Sequence, residues 1–137
     1  MKRILLVEDD PHYRKVMEYV LIKEGYEVIG CTSGEEAFDQ LGKSNFLLVI
    51  TDYKMGKVTG LEVAAEAAAK YSIPVFLVTA HSDMVLPVVA GGTVNRIFNK
   101  PISLRILTDA VNAILIPDAA GGLKAGKQSS LLKGGLK

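Results

Sequence analysis

Short apolar runs alternate along this chain with segments in which apolar residues recur at helical spacing. The runs are predicted strands, and they cover residues 3–7, 26–30, 46–51, 74–78 and 94–98. Because strands that alternate with helices are typical of βαβ units, the pattern predicts an α/β domain with one parallel, doubly wound sheet. The third run is apolar throughout, as expected of a strand that helices cover on both faces.

Five helices are predicted in the segments that follow these strands. Their bounds are about 11–24, 34–41, 59–70, 82–90 and 103–116. Ser33 and Glu36 have the spacing of a capping box at the second helix, in which each side chain accepts a hydrogen bond from the other residue's backbone. In the first helix, the helical period places Tyr13 on the apolar face and leaves Arg14 and Glu18 for solvent.

The length and composition narrow the class of protein. A chain of 137 residues with 49% hydrophobic and 23% charged residues is expected to form one folded domain. No apolar run approaches the roughly 20 residues of a membrane span, and the N-terminus lacks the pattern of a signal peptide. We therefore expect a cytoplasmic protein without membrane contact. The single Cys31 agrees, and it is expected to be a partly buried hydrophobe.

The net charge of +1 is unevenly distributed along the chain. Residues 117–137 hold four lysines and one aspartate, a net charge of +3, which leaves −2 for the first 116 residues. The predicted domain, residues 1–116, therefore lacks a basic stripe, and direct binding to nucleic acid is not expected. Residues 117–137 contain five glycines and little periodicity, so we predict a flexible basic tail or linker there.

Four predicted strands are followed by short segments that contain charged or hydroxyl residues. These segments hold Glu8 and Asp9 after the first, Asp52 after the third, Thr79 and Ala80 after the fourth, and Lys100 and Pro101 after the fifth. Because the carboxyl ends of parallel strands meet at one edge of a sheet, these groups are predicted to share a pocket. Clustered carboxylates need a neutralising cation, and Mg²⁺ binds one or two carboxylates together with phosphate oxygens. The sequence therefore predicts a site for a divalent cation and a phosphoryl group.

In this order and at these spacings, the residues resemble the receiver domain of two-component response regulators. Met55 and Gly60, which follow Asp52 in the chain, also fit that family's loop, and the resemblance covers about residues 2–116. It implies a flavodoxin-like (βα)5 fold with strand order 2-1-3-4-5. It also implies a signalling domain that catalyses only its own phosphorylation and dephosphorylation, without independent substrate turnover.

The resemblance implies a role for each acidic residue. Asp52 would accept a phosphoryl group from the phosphohistidine of a histidine kinase or from a phosphotransfer protein. Asp9, Asp52 and the backbone carbonyl of Lys54 would ligate Mg²⁺ or Mn²⁺, and Glu8 would assist through a metal-bound water. Phosphorylation would then bias the domain between two conformations.

The resemblance also implies contacts on the phosphoryl side of the pocket and on the partner surface. Lys100 and Thr79 would contact the phosphoryl oxygens, and the bond from Lys100 to Pro101 is expected to be cis. A downstream protein or output domain would bind the face formed by the fourth helix, the fifth strand and the fifth helix. A phosphorylation-dependent homodimer is a further expectation.

Some positions that tune switching depart from the family's common pattern. Ile97 stands where an aromatic residue commonly reports the position of Thr79, and the strand period sends Phe98 to the opposite face. Lys54, His81 and the neighbouring Ala80 occupy tuning or switch positions. We hypothesise that Lys54 and His81 set an unusual dephosphorylation rate.

Other functions remain open on the sequence alone. A receiver fold that binds partners without phosphorylation is one alternative. An enzyme on a flavodoxin-like sheet is another. An FMN-dependent enzyme would need a phosphate-binding loop after the first strand, which this sequence lacks. An aspartate-based phosphatase would need an acidic residue at the position of Lys54. Residues 92–96 resemble a variant seen in receivers attached to HD-GYP-type phosphodiesterase domains, so a longer regulator with such an output is also considered.

Overall fold

The computed structural model describes residues 2–80 and 92–116. Its five strands are β1 (Arg3–Val7), β2 (Glu27–Cys31), β3 (Leu48–Thr51), β4 (Val75–Thr79) and β5 (Arg96–Asn99). The helices within these residues are α1 (Pro11–Lys23), α2 (Gly34–Lys43), α3 (Gly60–Tyr71) and α4 (Leu104–Leu115). The helix predicted at 82–90 and the tail predicted at 117–137 lie outside the described residues, so α4 is the predicted fifth helix.

All five strands pair in parallel in the order β2-β1-β3-β4-β5, which confirms the predicted topology. The register aligns Val7 at the end of β1 with Cys31 of β2 and Thr51 of β3. It also aligns Thr79 at the end of β4 with Asn99 of β5. The residues that follow these strand ends are therefore brought to one edge of the sheet.

One face of the sheet holds a hydrophobic cluster with α2 and α3. Its buried members include Leu5, Val7, Val49, Val75 and Leu77 from the strands, Ala37 and Leu41 from α2, and Val63, Ala64 and Ala67 from α3. Ile97 packs against this cluster. Phe98 instead packs against Phe76, with 5.4 Å between the ring centroids and the rings tilted by 60°. The structure thus places Ile97 and Phe98 on opposite faces, as the strand period predicted.

The chain divides into two compact units, residues 1–102 and 103–137. The sheet and α1, α2 and α3 belong to the first unit, and α4 belongs to the second. The buried residues of α4 are Leu107, Ala110 and Val111. The predicted domain limit at residue 116 stays a prediction. Every helix within the described residues is too short or too polar to cross a lipid bilayer.

The capping box predicted for α2 forms only in part. Ser33 accepts from the backbone of Glu36 as expected, at 3.1 Å. The Glu36 carboxylate, however, accepts from the backbone and the hydroxyl of Thr32, at 2.6 and 2.7 Å, and these hydrogen bonds lower its pKa. The Glu36 side chain extends to Thr32, one residue before the N-cap Ser33, because Thr32 provides two hydrogen-bond donors. A complete capping box is found instead at α3, between Thr59 and Glu62.

The prediction that Arg14 and Glu18 face solvent holds only in part. Both are only partly exposed. Arg14 Nη1 donates to the backbone carbonyl of Glu8 at 2.9 Å, and a Cβ added at Gly30 would meet the Glu18 carboxylate. Helix α1 lies beside β2, and the side chains of Arg14 and Glu18 lie close to Gly30 of this edge strand. Helical periodicity could not show this, because it identifies the apolar side of a helix and not its neighbours.

Candidate functional site

Backbone hydrogen bonds extend the sheet by one residue at the pocket edge. The amides of Glu8, Asp52 and Lys100 each donate, at 3.0 Å, to the carbonyls of Cys31, Val7 and Thr79 respectively. The sheet therefore fixes the backbones of the three charged residues directly after β1, β3 and β5. Their side chains start from rigid strands, which positions them more accurately than a loop would.

Three carboxylates converge at this edge. Oxygen atoms of Glu8, Asp9 and Asp52 all lie within 4.8 Å of one another. Glu8 is fully buried and Asp9 is exposed, while 12% of the Asp52 side chain is exposed. The cluster thus runs from the protein interior to solvent, and Asp52 lies where a reactant can reach it.

Lys100 joins two of these acids. Its Nζ lies 2.8 Å from Glu8 Oε1 and 3.1 Å from Asp52 Oδ2, and only 12% of its side chain is exposed. Glu8 Oε2 accepts from the backbone amide of Asp10 at 3.1 Å. The buried Glu8 Oε1 has the ammonium as its ionic neighbour, although no donor among the described residues is aligned on it for a good hydrogen bond.

Burial and charge shift the pKa values of the buried Glu8 and the half-buried Lys100. Burial raises the pKa of Glu8 above its ordinary 4.5, and the charge of Asp52 adds to this, while Lys100 and the Asp10 amide oppose it. For Lys100, burial by itself lowers the pKa, but Glu8 and Asp52 outweigh that effect and raise it above 10.5. The ammonium of Lys100 therefore stays charged at neutral pH and is available to pair with an anion.

The pocket fits a hard divalent cation. When Glu8, Asp9, Asp52 and Lys100 are all ionised, two negative charges are left unbalanced. The possible ligand atoms of the three acids are all oxygens, the ligand type that Mg²⁺ takes. Within residues 2–80 and 92–116, the buried Oε1 of Glu8 also lacks an aligned hydrogen-bond donor. Lys54, whose carbonyl was predicted as a further ligand, lies exposed in the loop after β3. Its role as a ligand stays a prediction.

The loop after β3 orients the Asp52 carboxylate. Tyr53 donates its backbone amide to Asp52 Oδ1 at 2.6 Å, and Lys100 donates to Oδ2 at 3.1 Å. The first residue of α3, Gly60, donates to the carbonyl of Tyr53 at 2.7 Å. A Cβ at Gly60 would collide with the carbonyl of Asp52. Glycine is needed there because helix α3 begins in contact with the backbone of the acidic residue.

The structure brings together four of the predicted site residues and places several others nearby. Glu8, Asp9, Asp52 and Lys100 form one cluster. Thr79 is buried at the end of β4, and Ala80 after it is exposed. The peptide bond from Lys100 to Pro101 is cis, as expected. His81 lies outside the described residues.

Sequence reasoning missed two residues of α1 that contact the pocket. Lys100 Nζ lies 4.4 Å from the centre of the Tyr13 ring, and Arg14 donates a hydrogen bond to the backbone carbonyl of Glu8. Both lie within six residues of Glu8, on the first turn of the helix that follows it. That short spacing was the one available signal, since a helix that starts at the pocket edge keeps its first turn close to the pocket.

Comparison with known proteins agrees with this geometry. The model of the response regulator receiver domain family matches residues 4–112. The response regulator receiver protein CpdR of Brucella abortus is 31% identical over 118 residues, which are 85% of this chain and 98% of CpdR. The regulatory protein VanRB of Enterococcus faecalis is 35% identical over 114 residues, or 82% of this chain. The chain spans only about half of VanRB and about a quarter of the transcriptional regulator GlrR of Escherichia coli, at 52% and 26%.

A solved structure supports the same assignment. The response regulator TrrA of Thermotoga maritima, crystallised in complex with Mg(2+)-BeF, is 34% identical. The match has a TM-score of 0.77 and covers 84% of this chain and all of TrrA. With the family match, the sheet order and the acidic pocket in agreement, this chain belongs to the response regulator receiver domains of two-component signalling, and its acidic pocket fits their phosphoacceptor site.

Proposed function

We propose that Asp52 accepts a phosphoryl group from a histidine kinase or a phosphotransfer protein, and that this change switches the binding of a downstream partner. The observation that carries the proposal is the triad of Asp52, Lys100 and Glu8, with the exposed carboxylate of Asp9 beside it. Phosphoryl transfer needs mainly positioning and charge neutralisation, and this cluster supplies both.

In the proposed reaction, an oxygen of Asp52 attacks phosphorus while the bond from phosphorus to the donor imidazole nitrogen breaks and the imidazole leaves with the electron pair. The Tyr53 amide holds the carboxylate in place during the attack. Lys100 pairs with a phosphoryl oxygen, since its ammonium is already charged and within 3.1 Å of Asp52. Thr79, at the end of β4, is proposed as the hydroxyl donor to another phosphoryl oxygen.

Asp9, Asp52 and the carbonyl of Lys54 are the proposed ligands of Mg²⁺ or Mn²⁺, with the buried Glu8 behind them. The cation supplies neutralisation of the charge that the phosphoryl group brings to an already acidic pocket. Its identity as Mg²⁺ is supported by the oxygen-only donor set and by the Mg(2+)-BeF complex of the similar protein TrrA.

The partner surface and the switching device remain proposals. We propose that a downstream protein or output domain binds the face of the helix predicted at 82–90, β5 and α4, and that phosphorylation favours a homodimer. The aliphatic Ile97 supports a switch without an aromatic reporter, and Lys54 and His81 are proposed to tune the phosphoryl lifetime. The cytoplasmic location stays a prediction.

The test is incubation with acetyl phosphate or phosphoramidate and Mg²⁺, followed by intact-mass measurement. We expect one phosphoryl group on the wild type and none on Asp52→Asn or without the divalent cation. Asp10→Asn is the matched control, because it removes a neighbouring acid but keeps a residue that caps α1 well. If the wild type gains no phosphoryl group and fails to bind beryllofluoride, a receiver that binds partners without phosphorylation becomes the better explanation.

A further inference from the structure

An aromatic ring of α1 completes the surroundings of Lys100. Tyr13 lies on the first turn of the helix, its ring is partly exposed, and its centroid is 4.4 Å from Lys100 Nζ. A cation within about 6 Å of a ring centroid is attracted by the negative face of the ring. The contact is therefore close enough to act on the ammonium.

Within the described residues, the ammonium of Lys100 has three close neighbours of opposite or negative character. Two are the carboxylates of Glu8 and Asp52, at 2.8 and 3.1 Å, and the third is the Tyr13 ring. Because 88% of the Lys100 side chain is shielded from solvent, the attraction is screened less than at a surface. By contrast, the Tyr19 ring further along α1 is 65% exposed and lies 6.0 Å from Lys23 Nζ.

The simpler role for Tyr13 is an apolar residue that packs into the core. Tyr13 is only half-buried and is not among the buried hydrophobic residues of the described core. The buried residues of α1 are Met17 and Leu21, in its second and third turns. The ring thus contributes to the pocket more than to the core.

We propose that Tyr13 is a positioning residue, which holds the ammonium of Lys100 between Asp52 and Glu8 so that it meets the incoming phosphoryl group. The inference rests on the proposed phosphorylation of Asp52. Without the ring, the flexible lysine has more positions available and is less often aligned at the moment of transfer. The face of the ring carries the effect, so the hydroxyl of Tyr13 is dispensable.

The experiment compares Tyr13→Leu with Tyr13→Phe, and uses Tyr19→Leu as a control on the same helix. The rate of phosphorylation by phosphoramidate with Mg²⁺ is measured by intact mass. We expect Tyr13→Leu to slow phosphorylation about three- to tenfold, while Tyr13→Phe and Tyr19→Leu stay within about twofold of the wild type. Rescue by phenylalanine, which keeps the ring, distinguishes the cation–π contact from a hydrogen bond of the hydroxyl.

A second readout does not depend on phosphorylation. The NMR signals of the Lys100 ε-methylene protons, assigned by comparison with Lys100→Met, should be shifted upfield by the ring in the wild type and in Tyr13→Phe. This shift should disappear in Tyr13→Leu, and thermal unfolding verifies that each variant is folded.

The outcomes separate the two proposals. A wild type that is not phosphorylated on Asp52 overturns the proposed function. A phosphorylated wild type with Tyr13→Leu equally fast, or with Tyr13→Phe as slow as Tyr13→Leu, overturns the positioning role alone. An unshifted Lys100 signal in the folded wild type also overturns it.

Discussion

The interior of the sheet and its pocket edge are one residue apart, yet different forces govern them. Val7 is buried in the hydrophobic cluster, and the next residue, Glu8, is equally buried but carries a charge. Burying an apolar side chain stabilises the fold, whereas burying a carboxylate costs free energy that its partners must offset. Ion pairs and backbone hydrogen bonds therefore position the charged residues of the pocket edge, whereas the apolar interior contributes most of the free energy of unfolding.

The largest expected loss of stability comes from a substitution in the interior of the sheet. Leu5→Ala removes a fully buried side chain from β1, and we expect a loss of about 2–5 kcal/mol in the free energy of unfolding. Leu47→Ala, at a position that is 46% exposed, should change it by no more than about 0.5 kcal/mol. Urea titration measures both. Equal effects would mean that the interior does not dominate stability.

Lys100→Met tests the pocket edge. It leaves Glu8 buried without its ionic neighbour, and we expect a loss of about 1–3 kcal/mol in the absence of divalent cations. The excess negative charge also rises, so saturating Mg²⁺ should stabilise the variant more than the wild type. Unfolding curves with and without Mg²⁺ give both values. A smaller Mg²⁺ effect in Lys100→Met would contradict the charge argument.

Gly60→Ala tests how closely α3 approaches the pocket. The added Cβ would collide with the carbonyl of Asp52, so we expect about 1–3 kcal/mol of destabilisation and slower phosphorylation. Gly42→Ala in α2 is the matched control. A Cβ added there would lie 4.0 Å from the Tyr71 hydroxyl, an ordinary contact distance, and alanine stabilises a helix more than glycine does. It should be neutral or slightly stabilising. A Gly60→Ala protein with wild-type stability and rate would refute the contact.

The smallest expected effect on stability near neutral pH concerns the titration of Cys31, which lies at the end of β2. Burial, with some help from Glu36 and Asp39, raises the pKa of its thiol from 9.0 to about 11. At pH 8 the thiolate fraction is then about 100-fold lower than in the unfolded chain, so labelling by a thiol reagent should be slower by at least that factor. The stability that the protonated thiol contributes is complete below pH 9 and is lost as the pH rises towards 11. Rapid labelling of the native protein would show that Cys31 is accessible.

The fold and most of the acidic site could be predicted from the sequence. The alternation of apolar runs with helical segments indicated a parallel sheet, and polar residues at the strand ends indicated one pocket. Strand ends converge whatever the side-chain details, so Glu8, Asp9, Asp52 and Lys100 could be placed together before their distances were known. The order of the strands came from the resemblance to the receiver family and was confirmed by the sheet.

The specific contacts between side chains were evident only from the tertiary structure. Three such contacts depend on distances between elements and on side-chain torsions. They are the contact of Tyr13 with Lys100, the hydrogen bond from Arg14 to Glu8, and the hydrogen bond from Thr32 to Glu36. Sequence periodicity encodes the direction in which a residue points and not the partner it finds, because many partners satisfy the same apolar or polar pattern. The physical reason is that burial is a property of one residue, whereas a specific contact is a property of two residues that the fold brings together.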